Sequence, residues 1–81
     1  MTEELKYVKT KNEEIIIFPM QIQHDTFKHL ELISAGFCRV RNRKVDCYGE
    51  SYSLGLKAVM PEDSLKATQF VFGVAAMVER L

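Results

Sequence analysis

Tryptophan is missing from this chain, prolines number 2, glycines 4 and cysteines 2, and neither charge sign prevails among 11 basic and 11 acidic residues. Each shortage excludes something. So few prolines and glycines leave no linker, repeat or low-complexity segment to separate domains. Two cysteines are too few for a disulfide-stapled secreted scaffold and suit reduced thiols. With the charges balanced, no global field steers the protein toward nucleic acid or an anionic membrane, so any such binding has to be local. The longest apolar run, Phe70 to Val78, is far too short to span a bilayer, and Met1 to Lys11 is charged throughout, unlike a signal peptide. The expectation is a soluble cytoplasmic protein.

What is present suffices for one small core. Across 81 residues, 47% are hydrophobic, and area scaling suggests that folding removes about 60–65% of the extended chain's surface from water. A single domain over residues 1–81 follows.

The segment from Ser34 to Ser51 reads as a β-hairpin centred on Asn42-Arg43. That centring pairs Arg41 with Lys44, Val40 with Val45, Arg39 with Asp46, Cys38 with Cys47 and Phe37 with Tyr48. Because side chains alternate across a strand, Cys38, Val40, Val45 and Cys47 then share an apolar face. Phe37, Arg39, Arg41, Lys44, Asp46 and Tyr48 share the other. An aromatic pair and an opposite-charge pair on that second face each contribute roughly 0.2–1 kcal/mol. Asn42 tolerates the positive φ of a tight primed turn, whereas Arg43 is a poor substitute for glycine, so a one-residue shift or a four-residue loop stays open. The Cys38 and Cys47 pair falls at a non-hydrogen-bonded position, where a bridge is geometrically feasible. Two buried thiols packing as small apolar groups are the simpler expectation.

Elsewhere, Lys11-Asn12 separates two strand-like runs, Leu5 to Thr10 and Glu13 to Phe18, with Lys9 facing Glu14 and Val8 facing Ile15. Ile15 to Phe18 looks buried on both faces and Pro19 ends it. From Ile22 to Leu32, apolar residues Ile22, Phe27 and Leu30 recur at roughly helical spacing, extending to Ile33, with His24 or Asp25 as a cap. After the hairpin, the strand ending in Cys47-Tyr48 continues to Leu54, where Gly55 loosens it. Pro61-Glu62-Asp63-Ser64 then opens a long helix, proline suiting its first turn and the acidic residues its positive end. Ala67, Phe70, Val71, Val74, Met77, Val78 and Leu81 form an apolar stripe to lie on the sheet. Leu65, Phe72, Gly73 and Ala76 leave a second, less polar strip, covered either by another copy of the chain or by loops and the N-terminal hairpin. The order ββαββα predicts an α+β fold, a mainly antiparallel four-stranded sheet packed by the C-terminal helix.

Catalytic patterns fail on inspection. Gly49-Glu50-Ser51-Tyr52-Ser53 departs from a nucleophile elbow at its last position and has no helix after it. His24, His29, Cys38 and Cys47 have spacings H-x4-H and C-x8-C, without the tight cysteine knuckle of a zinc site. Two histidines five apart on a helix point about 140° apart. No catalytic residue, metal or cofactor is expected. The one candidate binding surface is the basic, aromatic hairpin face of Phe37, Arg39, Arg41, Arg43, Lys44 and Tyr48, which joins cations for phosphates to rings for base stacking. A solvated loop tip explains the same residues more simply.

Ile15-Ile16-Ile17-Phe18-Pro19, His24, Ser34-Ala35-Gly36-Phe37, Cys47-Tyr48-Gly49-Glu50-Ser51, Ser53-Leu54-Gly55-Leu56 and Pro61-Glu62-Asp63 occur here in that order. The set, spanning roughly residues 7 to 70, resembles a family of small uncharacterised proteins of bacteriophages and prophages. The resemblance implies an origin, a host-cell cytoplasm and a fold, and it carries over no catalytic residue. The expectation is an accessory protein that acts by binding, as a homo-oligomer, in particular a homodimer, or with a host or phage protein. Nucleic-acid binding at the hairpin tip is the alternative.

Overall fold

The computed structural model describes residues 3–73. Strands β1 (Glu3–Thr10), β2 (Ile15–Phe18), β3 (Leu32–Arg41) and β4 (Lys44–Tyr48) form one sheet in the order β2-β1-β3-β4, each neighbour antiparallel. Strands β5 (Glu50–Ser51) and β6 (Leu56–Lys57) make a separate small hairpin, and helix α1 (Glu62–Phe72) follows. The expected α+β architecture is therefore the one that forms.

The β3–β4 hairpin has the register expected of it, from Arg41 opposite Lys44 to Phe37 opposite Tyr48. Asn42 and Arg43 both take positive φ, 50° and 58°, the conformation of a primed two-residue turn. The N-terminal hairpin differs. Lys9 lies opposite Ile15 and Val8 opposite Ile16, one residue out of the expected register. The cause is Glu13, whose φ of 64° extends the loop, while the Thr10 hydroxyl accepts the Glu14 N–H and its carbonyl the Glu13 N–H. That single step turns Ile15 and Ile17 to the same face as Tyr7 and Lys9.

Helix α1 lies along β4 and also approaches β2, so the twisted sheet wraps it from both edges. The layer between them holds Tyr7, Ile15, Cys38, Val45, Cys47 and Ala67. On the outer face a second cluster of Val8, Phe18 and Ala35 is covered by Phe27, Leu54 and Leu56. Strand β2 thus packs on both faces, as its unbroken apolar run implies.

Three expectations are corrected. The helix expected from Ile22 to Leu32 is a single 3-10 turn, His24–Phe27, with no side-chain cap. His24 is buried instead, with Nε2 2.7 Å from the Gly36 carbonyl and its ring edge-on to Phe18 and Phe37. Strand β4 stops at Tyr48 because Gly49 turns the chain at φ 75°. A side chain on Gly36 would meet the Tyr48 carbonyl at 2.5 Å, so this crossing requires glycine at Gly36. Lastly, the apolar stripe of α1 is not its buried face. Asp63, Ser64, Ala67 and Thr68 are buried, while Phe70 and Val71 are exposed, and Val74, Met77, Val78 and Leu81 lie outside the described residues.

Hydroxyl groups explain that rotation. In an antiparallel ladder the outward amides of β4 belong to Val45 and Cys47, which an edge strand would leave without partners. The Val45 N–H donates to Thr68 Oγ1 and the Cys47 N–H to Ser64 Oγ, both at 2.9 Å. Thr68 Oγ1 lies 2.8 Å from the Ser64 carbonyl and 3.2 Å from that of Val45. Helix α1 thereby caps the strand edge with side chains. Replacing Thr68 by valine keeps the volume but orphans the Val45 amide. Chemical denaturation is expected to show a loss of about 1–3 kcal/mol, with faster hydrogen exchange at Val45.

Candidate functional site

The hairpin face assembles as expected, then is partly neutralised. Phe37 and Tyr48 stack with centroids 6.0 Å apart, and the Arg39 guanidinium sits 5.1 Å from the Tyr48 ring centroid. Because β1 neighbours β3, Glu4 reaches this face. It accepts a hydrogen bond from the Tyr48 hydroxyl, which raises the pKa of that hydroxyl, and lies 3.9 Å from Arg39. Asp46 is opposite Arg39 in register, yet its carboxylate pairs with Arg41 at 3.8 Å and Lys44 at 3.4 Å. Asp46 thus meets Arg41 diagonally across the hairpin and Lys44 along its own strand, while Arg39 turns toward Glu4. Arg43 occupies the turn itself. Phe37 is shared with the core through His24.

The expected interface strip on α1 is split. Leu65 is exposed, whereas Phe72 packs against the Tyr7 and Val45 cluster, because the helix is rotated toward its hydroxyls. Gly73 ends the helix, its N–H bonded to the Gln69 carbonyl, and does not form a smooth helical surface for a neighbour. Ala76 lies outside the described residues.

A polar centre under the helix has no counterpart in the sequence-based expectations. Asp63, fully buried, lies 2.5 Å from Lys9 Nζ through Oδ1. Its Oδ2 accepts the Tyr7 hydroxyl at 2.5 Å and the Val59 N–H at 3.0 Å. Burial alone would raise the Asp63 pKa, but Lys9, Tyr7, Val59 and Ser34 outweigh it and hold the carboxyl below its ordinary value. Burial and the Asp63 carboxylate push the Tyr7 hydroxyl far upward. The one sequence signal was Lys9 alternating into the same face as Leu5 and Tyr7, legible once the register is right. The centre is sealed from water, so its chemistry is structural.

Cys38 and Cys47 face each other across β3 and β4 as free thiols. Burial raises Cys38 to about 11, and burial with the neighbouring Cys38 raises Cys47 to about 12. Neither is a ready nucleophile at neutral pH. Among the described residues no group of three metal-binding side chains converges, and no helix is long and apolar enough to cross a membrane.

The remaining feature is an open edge. Counting from the Thr10 N–H to Glu14 carbonyl bond, the ladder points the amides and carbonyls of Ile15 and Ile17 away from β1. Among the described residues no backbone hydrogen bond between elements reaches them. Between this edge and α1 lies a groove of about 390 Å³ lined by Glu13, Glu14, Ile15, Lys66, Gln69 and Phe70.

Comparison with models of protein families, with curated proteins and with solved structures gives no match in any of the three.

Because its folded pKa is depressed, Asp63 stabilises the fold above the unfolded carboxylate value near 4, and that contribution falls away as pH drops through the lower folded value. Asp63→Asn removes the charge partner of a buried lysine and is expected to cost about 3–5 kcal/mol at neutral pH. The stability difference from wild type, measured by denaturation across an acid pH series, should shrink toward low pH.

Proposed function

We propose that the protein acts by binding, as a homodimer joined along the outer edge of β2, in a phage or prophage setting. The observation that supports this is the unequal treatment of the two edges of one sheet. Strand β4 is closed by Ser64 and Thr68, while β2 packs its side chains inward and leaves the outward backbone groups of Ile15 and Ile17 beside a groove. An open apolar edge is a template for another strand.

Self-complementarity favours a second copy as the partner. Ile15 to Phe18 carries no charge, so a two-fold antiparallel pairing of β2 with itself opposes no like charges. Exposed apolar residues flank both ends: Phe70, 65% exposed, lines the groove beside Ile15, and Met20, 42% exposed, follows Phe18. The two-fold brings the first toward the second.

Nucleic-acid binding by Phe37, Arg39, Arg41, Arg43, Lys44 and Tyr48 is the weaker interpretation. A base would have to displace Arg39 from the Tyr48 ring, and Glu4 and Asp46 sit among the cations.

Light scattering at micromolar concentration is expected to give twice the chain mass. Phe70→Glu, at an exposed position, should leave the circular dichroism unchanged and weaken association about tenfold, roughly 1.4 kcal/mol. A strict monomer overturns the proposal, and retardation of mixed-sequence DNA or RNA at low salt would favour the nucleic-acid interpretation.

A further inference from the structure

We propose that Cys38 and Cys47 are the site of a reversible cross-strand disulfide, formed when helix α1 lifts from β4. Three independent placements support it. The two residues are direct partners in the register, so no backbone movement along the strands is needed to bring them together. The Cys47 N–H points outward to Ser64, which makes this a non-hydrogen-bonded pair, the narrow position of an antiparallel ladder and within the span a disulfide bridges. Both side chains are sealed in one cluster with Ala67, so the helix that caps the edge also shields the thiols.

The chemistry is thiol–disulfide exchange with a small disulfide of the glutathione class. One cysteine thiolate attacks the oxidant, releasing one small thiol and forming a mixed disulfide. The second thiolate attacks the protein sulfur and releases the other. Two S–H bonds are exchanged for one S–S bond, and both protons and both electrons leave on the two reduced small thiols. Because each cysteine faces the other, the mixed disulfide is short-lived.

Opening of the helix must precede the exchange, and the Cys47 amide, bonded to Ser64, reports that opening by hydrogen exchange. The reduced full chain with excess oxidised glutathione at pH 8 is expected to lose two hydrogens in mass and retain no glutathione. Peptide mapping should link Cys38 to Cys47, bridging should not outrun exchange at the Cys47 amide, and dithiothreitol should reverse it. Asp63→Asn should accelerate bridging at least tenfold, and Thr68→Val should accelerate it too if the first variant does not fold. Glutathione retained on one cysteine, linkage between chains, thiols that stay reduced in both variants under excess oxidised glutathione, or bridging faster than exchange at the Cys47 amide would each overturn the proposal.

Discussion

Asp63 is a carboxylate removed from water, and the arrangement of the inner layer follows from how its charge is compensated. Lys9 supplies the counter-charge, and Tyr7 and the Val59 amide supply hydrogen bonds. The Asp63 N–H in turn donates to the Val59 carbonyl, so the chain entering the helix is tied from both sides. A buried ion pair contributes little net stability over an apolar replacement, but breaking one side of it is costly, which makes such a pair a device for orientation. Here it specifies the rotation of α1. With Asp63 turned onto β1, Ala67 enters the core and Ser64 and Thr68 reach the outer amides of β4.

That rotation also separates what was legible in the sequence from what was not. The β3–β4 register could be read because each cross-strand pair had to satisfy two faces at once, and an error of one residue would have put Cys38 and Val45 in water. The N-terminal hairpin offered no such test. Lys9 opposite Glu14 satisfied charge pairing, and nothing in the sequence announced that Glu13 would adopt a left-handed conformation. The helix was found but its face was not. Hydrophobic periodicity assumes that apolar groups are what a helix buries. Against an edge strand the scarce resource is hydrogen-bond acceptors, and a serine and threonine four apart supply them. Phe70 and Val71 were displaced outward as a result.

The outer face shows the same dependence on neighbours. The basic residues were placed where expected, and Arg41 and Lys44 found Asp46 on β4, but the carboxylate beside Arg39 came from β1, a strand whose adjacency to β3 no local pattern revealed. Glu4 thus converts what read as a cationic patch into a mixed one. His24 is the converse case. It looked like a helix cap and became a core residue, because the segment after Pro19 crosses the sheet and needs a polar group for the Gly36 carbonyl.

Closing one edge and leaving the other open need not be separate properties. A helix that lies along β4, held to β1 through Asp63 and to β4 through Ser64 and Thr68, turns Lys66, Gln69 and Phe70 toward Ile15 rather than a second pair of hydroxyls. Lys66 and Phe70 contribute no hydroxyl to an outward amide. Moving the helix toward β2 would strand the amides of Val45 and Cys47 and separate Asp63 from Lys9, a larger penalty than an exposed amide pair that water can satisfy. The position of one carboxylate therefore decides both which edge is sealed and which remains available to a second strand.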